Sequence, residues 1–299
     1  MRDDRAGRFG LSIRLAAALL FLCVGMISCT AKQPGSLTRD DGLNITSREH
    51  ERLGDALLAG NNLQMALFQY DRALEQDPNN LSARYKRGLV FVHGEHNQEA
   101  ISEFQRVLAK NPDFELAHEG MGRAYFQAGN LDQALLSLQQ ALRLNPDLWR
   151  SRAYLGMIHD RRGETALALI EHQKAITLQP GDGSLYNNLG VSLTMARNFE
   201  KAVAAFNKAL EHNFQNHRVY NNLGLALSNL GHYQAALEAF RKGGTEAQAY
   251  NNLGSVYLNK NRYADAVRTF EKAIELEPGF YVMAGENLKR ARLGLGKGQ

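Results

Sequence analysis

Apolar and small residues recur in register along the chain. The phrase Tyr-Asn-Asn-Leu-Gly is written at 186–190, 220–224 and 250–254, so the first two copies stand 34 residues apart and the last two 30. Self-similarity at such a spacing marks an array in which each unit packs on its neighbours. With units beginning at 47, 81, 115, 149, 183, 217 and 247, the pattern is Leu-Gly near positions seven and eight, Ala at twenty, an aromatic at twenty-four, Ala at twenty-seven and Pro at thirty-two. The first unit supplies Leu53-Gly54, Ala66, Tyr70, Ala73 and Pro78, and the seventh Leu253-Gly254, Ala266, Phe270, Ala273 and Pro278. The fifth carries Phe214 where Pro is expected, and the sixth reaches Gly243-Gly244 and loses four residues.

Each unit reads as two antiparallel helices. Small residues at positions eight and twenty let the helices approach, the aromatic fills the space between units, and Pro ends the second helix because it cannot continue it. Residues 281–293 form one more amphipathic stretch with Met283, Leu288 and Ala291 on one side. A terminal helix of this kind covers the last apolar face of a solenoid. The expected fold is all-α: a solenoid of seven helix pairs over 47–280, with a capping helix and tail over 281–299. The residues lost after Gly243 predict a bend between the second and third copies of the phrase.

The start of the chain has a different character. Arg2, Arg5, Arg8 and Arg14 precede the uncharged run Leu15–Ile27, thirteen residues long. As a helix that run rises only about 20 Å, short of a hydrocarbon core of about 30 Å, so it fits a secretory signal better than a membrane span. The run ends in Met26-Ile27-Ser28-Cys29, which resembles the bacterial lipobox. That resemblance implies a lipoprotein signal peptide over 1–28, with Cys29 acylated as the mature N-terminus. Only Cys23 and Cys29 are present, so a chain cleaved before Cys29 has no internal disulfide. Residues 29–46, with Pro34, Gly35 and Gly42 and no helical period, read as a tether.

Composition narrows the function without naming it. The chain is 44% hydrophobic and 22% charged, as folded proteins are. Its 35 basic and 31 acidic residues form no basic block, so no nucleic-acid partner is expected. The sequence has no nucleophile elbow, phosphate loop, dinucleotide fingerprint or paired-histidine zinc motif. We therefore expect no catalytic residue, no metal and no cofactor. His93 and His96 lack a ligand partner at metal-binding spacing, whereas His159 and His172 fall at repeat positions that read as structural.

Positions two, five, nine, twelve and thirteen of the first helices share one face and line the expected inner groove. In the first four units these include Arg48, Glu51, Asp55, Tyr85, His93, Glu119, Arg123, Phe126, Arg150, Asp160 and Arg161, a mixed charged wall. In the last three they include Asn187, Val191, Met195, Arg218, Asn221, Leu225, Asn229, Asn251, Leu258 and Asn259. An amide offers a donor and an acceptor to any peptide bond, so Asn187, Asn221 and Asn251 suit an extended segment, with Val191, Met195 and Leu225 as shallow apolar contacts.

The repeat pattern resembles the tetratricopeptide repeat, which implies a right-handed superhelix that binds protein or peptide segments. Position five is never Lys, so the lysine-based clamp by which some members hold a chaperone tail is missing. Lipobox and repeats together resemble lipoproteins of pilus and secretion machines. The stretch from Ala249 to Ala291 is most similar to the repeat lipoprotein of the tight-adherence (Flp) pilus assembly system. The resemblance implies a non-catalytic scaffold of the cell envelope, held to the membrane through its lipid and facing the periplasm from the outer membrane if the cell is Gram-negative. Its partners would be secretin or pilus assembly components. Two alternatives follow the same logic: a type IV pilotin or outer-membrane assembly lipoprotein, and an adaptor that recruits peptidoglycan hydrolases or proteases.

Overall fold

The computed structural model describes residues 45–297. The expected signal peptide 1–28, Cys29 and all but the last two residues of the tether 29–46 lie outside the described residues. Seven helix pairs follow one another: α1 (Ser47–Ala59) with α2 (Leu63–Gln76), α3 (Leu81–His93) with α4 (Asn97–Leu108), α5 (Glu115–Gln127) with α6 (Leu131–Leu144), and α7 (Trp149–Arg161) with α8 (Thr165–Leu178). The series continues with α9 (Gly183–Met195) and α10 (Phe199–Glu211), α11 (His217–Asn229) and α12 (Tyr233–Gly243), and α13 (Glu246–Asn259) and α14 (Tyr263–Leu276). A short 3₁₀ turn, Pro278–Phe280, leads into α15 (Tyr281–Lys297). Among the described residues there is no strand, and no helix is long and apolar enough to cross a membrane.

Local chemistry sets the ends of these helices. Thr46 and Thr245 each form a reciprocal capping box, with Glu49 and Gln248 respectively, and the side chains of Asn62, Asn80, Asn198 and Asn216 accept from backbone N–H groups of the turn they precede. Inside every pair, the residue at position fifteen adopts left-handed φ: Asn61, Glu95, Gly129, Gly163, Arg197, Gly231 and Asn261. This one backbone step reverses the chain. Glycine and asparagine tolerate it, whereas Glu95 and Arg197 carry a steric cost.

The aromatic at position twenty-four packs first inside its own unit rather than between units. A Cβ added to Gly54, Gly88, Gly190, Gly224 or Gly254 would lie 2.5–2.7 Å from the ring of Tyr70, Phe104, Phe206, Phe240 or Phe270, respectively. Each ring thus lies on the glycine backbone of its partner helix. Phe104 also reaches the next unit, where a Cβ on Gly120 would meet it at 2.5 Å. In the fourth unit His172 takes the ring's place on Gly156 and is fully buried.

First helices of successive pairs touch one another from α1 through α13, and no comparable run of contacts joins the second helices. The array therefore curves with its first helices inside. At the shortened sixth unit, α12 has 11 residues and the link to α13 is only Gly244 and Thr245. The loss is absorbed by close packing: a Cβ on Gly243 would stand 2.7 Å from Asn221 Oδ1 and 3.1 Å from the His217 carbonyl oxygen. Beyond the last pair, α15 packs on α14 through buried Leu288 and Ala291.

Candidate partner-binding face

The inner face is built by one side of each first helix, and it falls into three chemical stretches. At the N-terminal end, cations and carboxylates are cross-linked. Lys86 Nζ lies 2.7 Å from both Glu51 Oε1 and Asp55 Oδ2, while Ser82 and Asn80 donate to Glu51. Burial alone would raise the Glu51 pKa, but the hydrogen bonds from Lys86, Ser82 and Asn80 together hold it below the usual carboxylate value. Charge here joins the first unit to the second.

In the middle stretch, Tyr85, Glu119, Arg123, Phe126, Arg150, Tyr154 and Arg161 face the same side. Burial, then Glu119, pushes the Tyr85 hydroxyl up to about 12, with Arg150 and Arg123 pulling the other way. The guanidinium of Arg161 sits 4.0 Å from the Phe126 ring centre, and that of Arg150 4.3 Å from the Trp149 ring. The Arg150–Trp149 pair was not apparent from repeat positions, because Trp149 does not occupy a nominal groove position, whereas Arg161 and Phe126 both do. The signal available was the combination of aromatic and arginine residues across two adjacent units.

The last stretch holds the amides. Asn187 and Asn221 are half-buried, Met195 and Leu225 are 47% and 42% exposed, and Arg218 and Asn259 are exposed. Val191 and Leu258 are half-buried, and Asn251 is buried at 9% exposure. Asn229 donates through Nδ2 to the Leu225 carbonyl, and Lys260 caps the same helix end by donating to the carbonyls of Ser228 and Asn229. The second asparagine of the phrase forms a ladder: Asn222 Nδ2 donates to Asn187 Oδ1 and Asn252 Nδ2 to Asn221 Oδ1, both at 3.4 Å, and Asn287 Nδ2 to Asn251 Oδ1 at 3.5 Å. These are long, weak bonds, yet they direct each position-five oxygen toward the next unit. Asn187 Nδ2 donates in turn to Asn188 Oδ1 at 3.5 Å, so of these two asparagines Asn221 keeps its NH₂ free of a protein acceptor among the described residues.

A buried polar cluster behind the groove and the outer face complete the survey. In the interior of the fourth and fifth units, Asp160 Oδ2 accepts from Ser192 Oγ at 2.6 Å and lies 3.1 Å from His172 Nε2. Serine and histidine both engage the carboxylate rather than each other, an arrangement that lacks the nucleophile–base contact of acyl-transfer sites. Among the described residues no cluster of three or more His, Cys, Asp or Glu is placed to hold a metal. On the outer face, Leu136, Leu167 and Ile170 are exposed, and a notch of about 430 Å³ between α8 and α10 is lined by Leu169, Ile176, Leu189 and Leu193.

The repeat is also detected by comparison with known families. Tetratricopeptide repeat families match residues 54–94, 95–158, 183–216, 205–238 and 247–280, which together span more than half of the chain. The chain is a tetratricopeptide repeat protein. Among solved structures, this TPR chain is similar to one in the Cut9–Hcn1 hetero-tetramer of the APC/C, at 24% identity and a TM-score of 0.63 over 84% of this chain and 49% of that one. It spans about half the length of that neighbour. A tetratricopeptide repeat protein from Parabacteroides merdae matches at 17% identity and a TM-score of 0.56, over 82% of this chain and 98% of the other. A thermophilic TPR protein from Thermus thermophilus matches at 22% identity and 0.53, over 64% of this chain and all of the other. At these identities the likeness concerns the fold. No curated protein matches the chain in sequence. The repeats and the TPR neighbours imply a scaffold for protein–protein interaction.

Proposed function

We propose that the protein is a lipid-anchored TPR scaffold that docks an extended partner segment on its inner face during assembly of an envelope machine, such as a tight-adherence pilus or a secretion system. The observation that carries the docking role is the half-buried amide row of Asn187 and Asn221, flanked by exposed Met195 and Leu225. The asparagine oxygens accept from the next unit and Asn187 Nδ2 also donates to Asn188 Oδ1 at 3.5 Å, so the remaining N–H donors of the row are offered to the carbonyls of a passing chain and side-chain selection is left to the apolar contacts. The anchor rests on Met26-Ile27-Ser28-Cys29, and the client on the likeness of the C-terminal stretch to the pilus lipoprotein.

Cross-linking through position 221 in envelope extracts tests the client. Recovery of a secretin or pilus component supports the proposal; recovery of a peptidoglycan hydrolase or protease replaces it with the adaptor role. The anchor is tested by Cys29→Ala, which should abolish fatty-acid labelling and release the protein into the soluble fraction. Membrane retention without label would instead point to an uncleaved helix.

A further inference from the structure

We propose that the inner wall of α3, α5 and α7 is a second docking site, built for an acidic, aspartate- or glutamate-rich segment of a partner. It rests on the reading of the inner face as the docking surface, and adds to it a different stretch, with a different specificity from the amide row.

The case is an imbalance in hydrogen-bonding capacity. Elsewhere the part-buried cations are paired: Lys86 with Glu51 and Asp55, Arg87 with Asp71 and Glu103 at 2.7 Å each, and, within one unit, Arg152 with Glu171 at 3.1 Å. Among the described residues, no carboxylate comes within 4.0 Å of Arg123, Arg150 or Arg161. Arg123 Nε is buried without a hydrogen-bond partner, and Arg161 reaches only the Phe126 carbonyl, at 3.5 Å. The nearby acids pair with serines rather than with these arginines, and Asp160 Oδ1 is buried without a hydrogen-bond partner. Glu119 Oε2 takes both the N–H and the hydroxyl of Ser151, at 3.1 and 2.8 Å, and Asp160 Oδ2 takes Ser192. Three guanidinium groups thus offer donors that the array itself does not satisfy, and the groups that answer such donors best are carboxylates.

Positioning supports the same assignment. Two of the three guanidiniums lie over aromatic rings, Arg161 over Phe126 at 4.0 Å and Arg150 over Trp149 at 4.3 Å, which narrows where they stand before a partner arrives. Phe126 and Tyr154 meet edge to face at 5.5 Å, adding a firm apolar floor between the charges. Buried aromatics beside arginine are the residue types that dominate binding energy in protein interfaces. His93, depressed by burial and then by Arg123, contributes little positive charge at neutral pH, so the arginines set the specificity.

Trp149 is the only tryptophan, so its emission reports on this site in the purified full chain. The probes are three twelve-residue peptides alternating phenylalanine with glutamate, glutamine or lysine. The glutamate peptide should shift Trp149 emission saturably and bind several-fold more weakly when salt is raised from about 50 to 300 mM. Arg150→Glu with Arg161→Glu, both at exposed positions, should weaken it at least tenfold with the circular dichroism unchanged. Asn187→Ala with Asn221→Ala should leave this binding intact while reducing cross-linking at the amide row, so the two sites fail separately. Equal binding of the glutamine or lysine peptide, indifference to the arginine substitutions, or no saturable binding up to about 1 mM would overturn the proposal.

Discussion

Gly190→Ala tests the packing rule on which every unit depends. The new Cβ would stand 2.5 Å from the Phe206 ring, which is fully buried and has no room to swing away. Alanine is worth about 1 kcal/mol over glycine inside a helix, while overpacking a closed core costs about 1–3 kcal/mol. The single substitution should therefore destabilise by about 1 kcal/mol. Phe206→Ala alone should cost about 3–5 kcal/mol by opening a cavity. In that background the alanine at 190 enters the vacated space, and the same substitution should stabilise by about 1 kcal/mol. The sign reversal is the signature of contact between the two positions. Urea unfolding of the four proteins, with hydrogen exchange followed in α9 and α10, measures it; local exchange matters because arrays of repeats need not unfold in one step. Stabilisation by Gly190→Ala in the parent protein, or an equal loss in both backgrounds, would refute the packing rule.

Two further perturbations follow from the description. Arg197 holds left-handed φ of 57° at the turn where five of the other six units use glycine or asparagine, so Arg197→Gly should gain up to about 1 kcal/mol after the entropy cost of glycine; a lower urea midpoint would contradict this. Glu51→Gln should cost about 1.5–3 kcal/mol at pH 7, because Lys86 loses a charged partner. Since the folded pKa of Glu51 lies below the unfolded value of about 4.3, its contribution is complete above that pH and is lost as pH falls toward the folded value, so the gap between the two proteins should close on acidification. A gap that stays constant from pH 7 to 3 would show that the carboxylate is not the source.

The fold was legible because its determinants repeat. Gly190 and Phe206 stand at the same two positions as Gly54 and Tyr70, so spacing alone revealed two helices that must approach closely. Direction was harder to read: the ring lies chiefly on its own unit's glycine, a fact of side-chain geometry that periodicity does not encode. The left-handed turn at position fifteen was hidden because Glu95 and Arg197 occupy it beside glycine and asparagine, masking the usual turn signature. In the groove, position number placed Asn187 and Asn221 on the right face but could not show that Asn222 and Asn252 engage their oxygens. Asn251 stands at the same repeat position yet is buried, and its oxygen accepts from Asn287 of α15, where the asparagines before it accept from the next first helix.

The central claim is that partners dock on the inner face, and the exposed apolar residues of α6 and α8 provide the natural control. A photoreactive residue placed in turn at 150, 195, 221 and 225 on the inner face, and at 136, 167 and 170 on the outer face, should be scored for adducts in intact cells. The inner positions should yield discrete, high-mass adducts that a competing excess of the chain without photoreactive groups suppresses, and the outer positions should yield none. Adducts confined to 136, 167 and 170 would place the partner on the convex side and contradict the account.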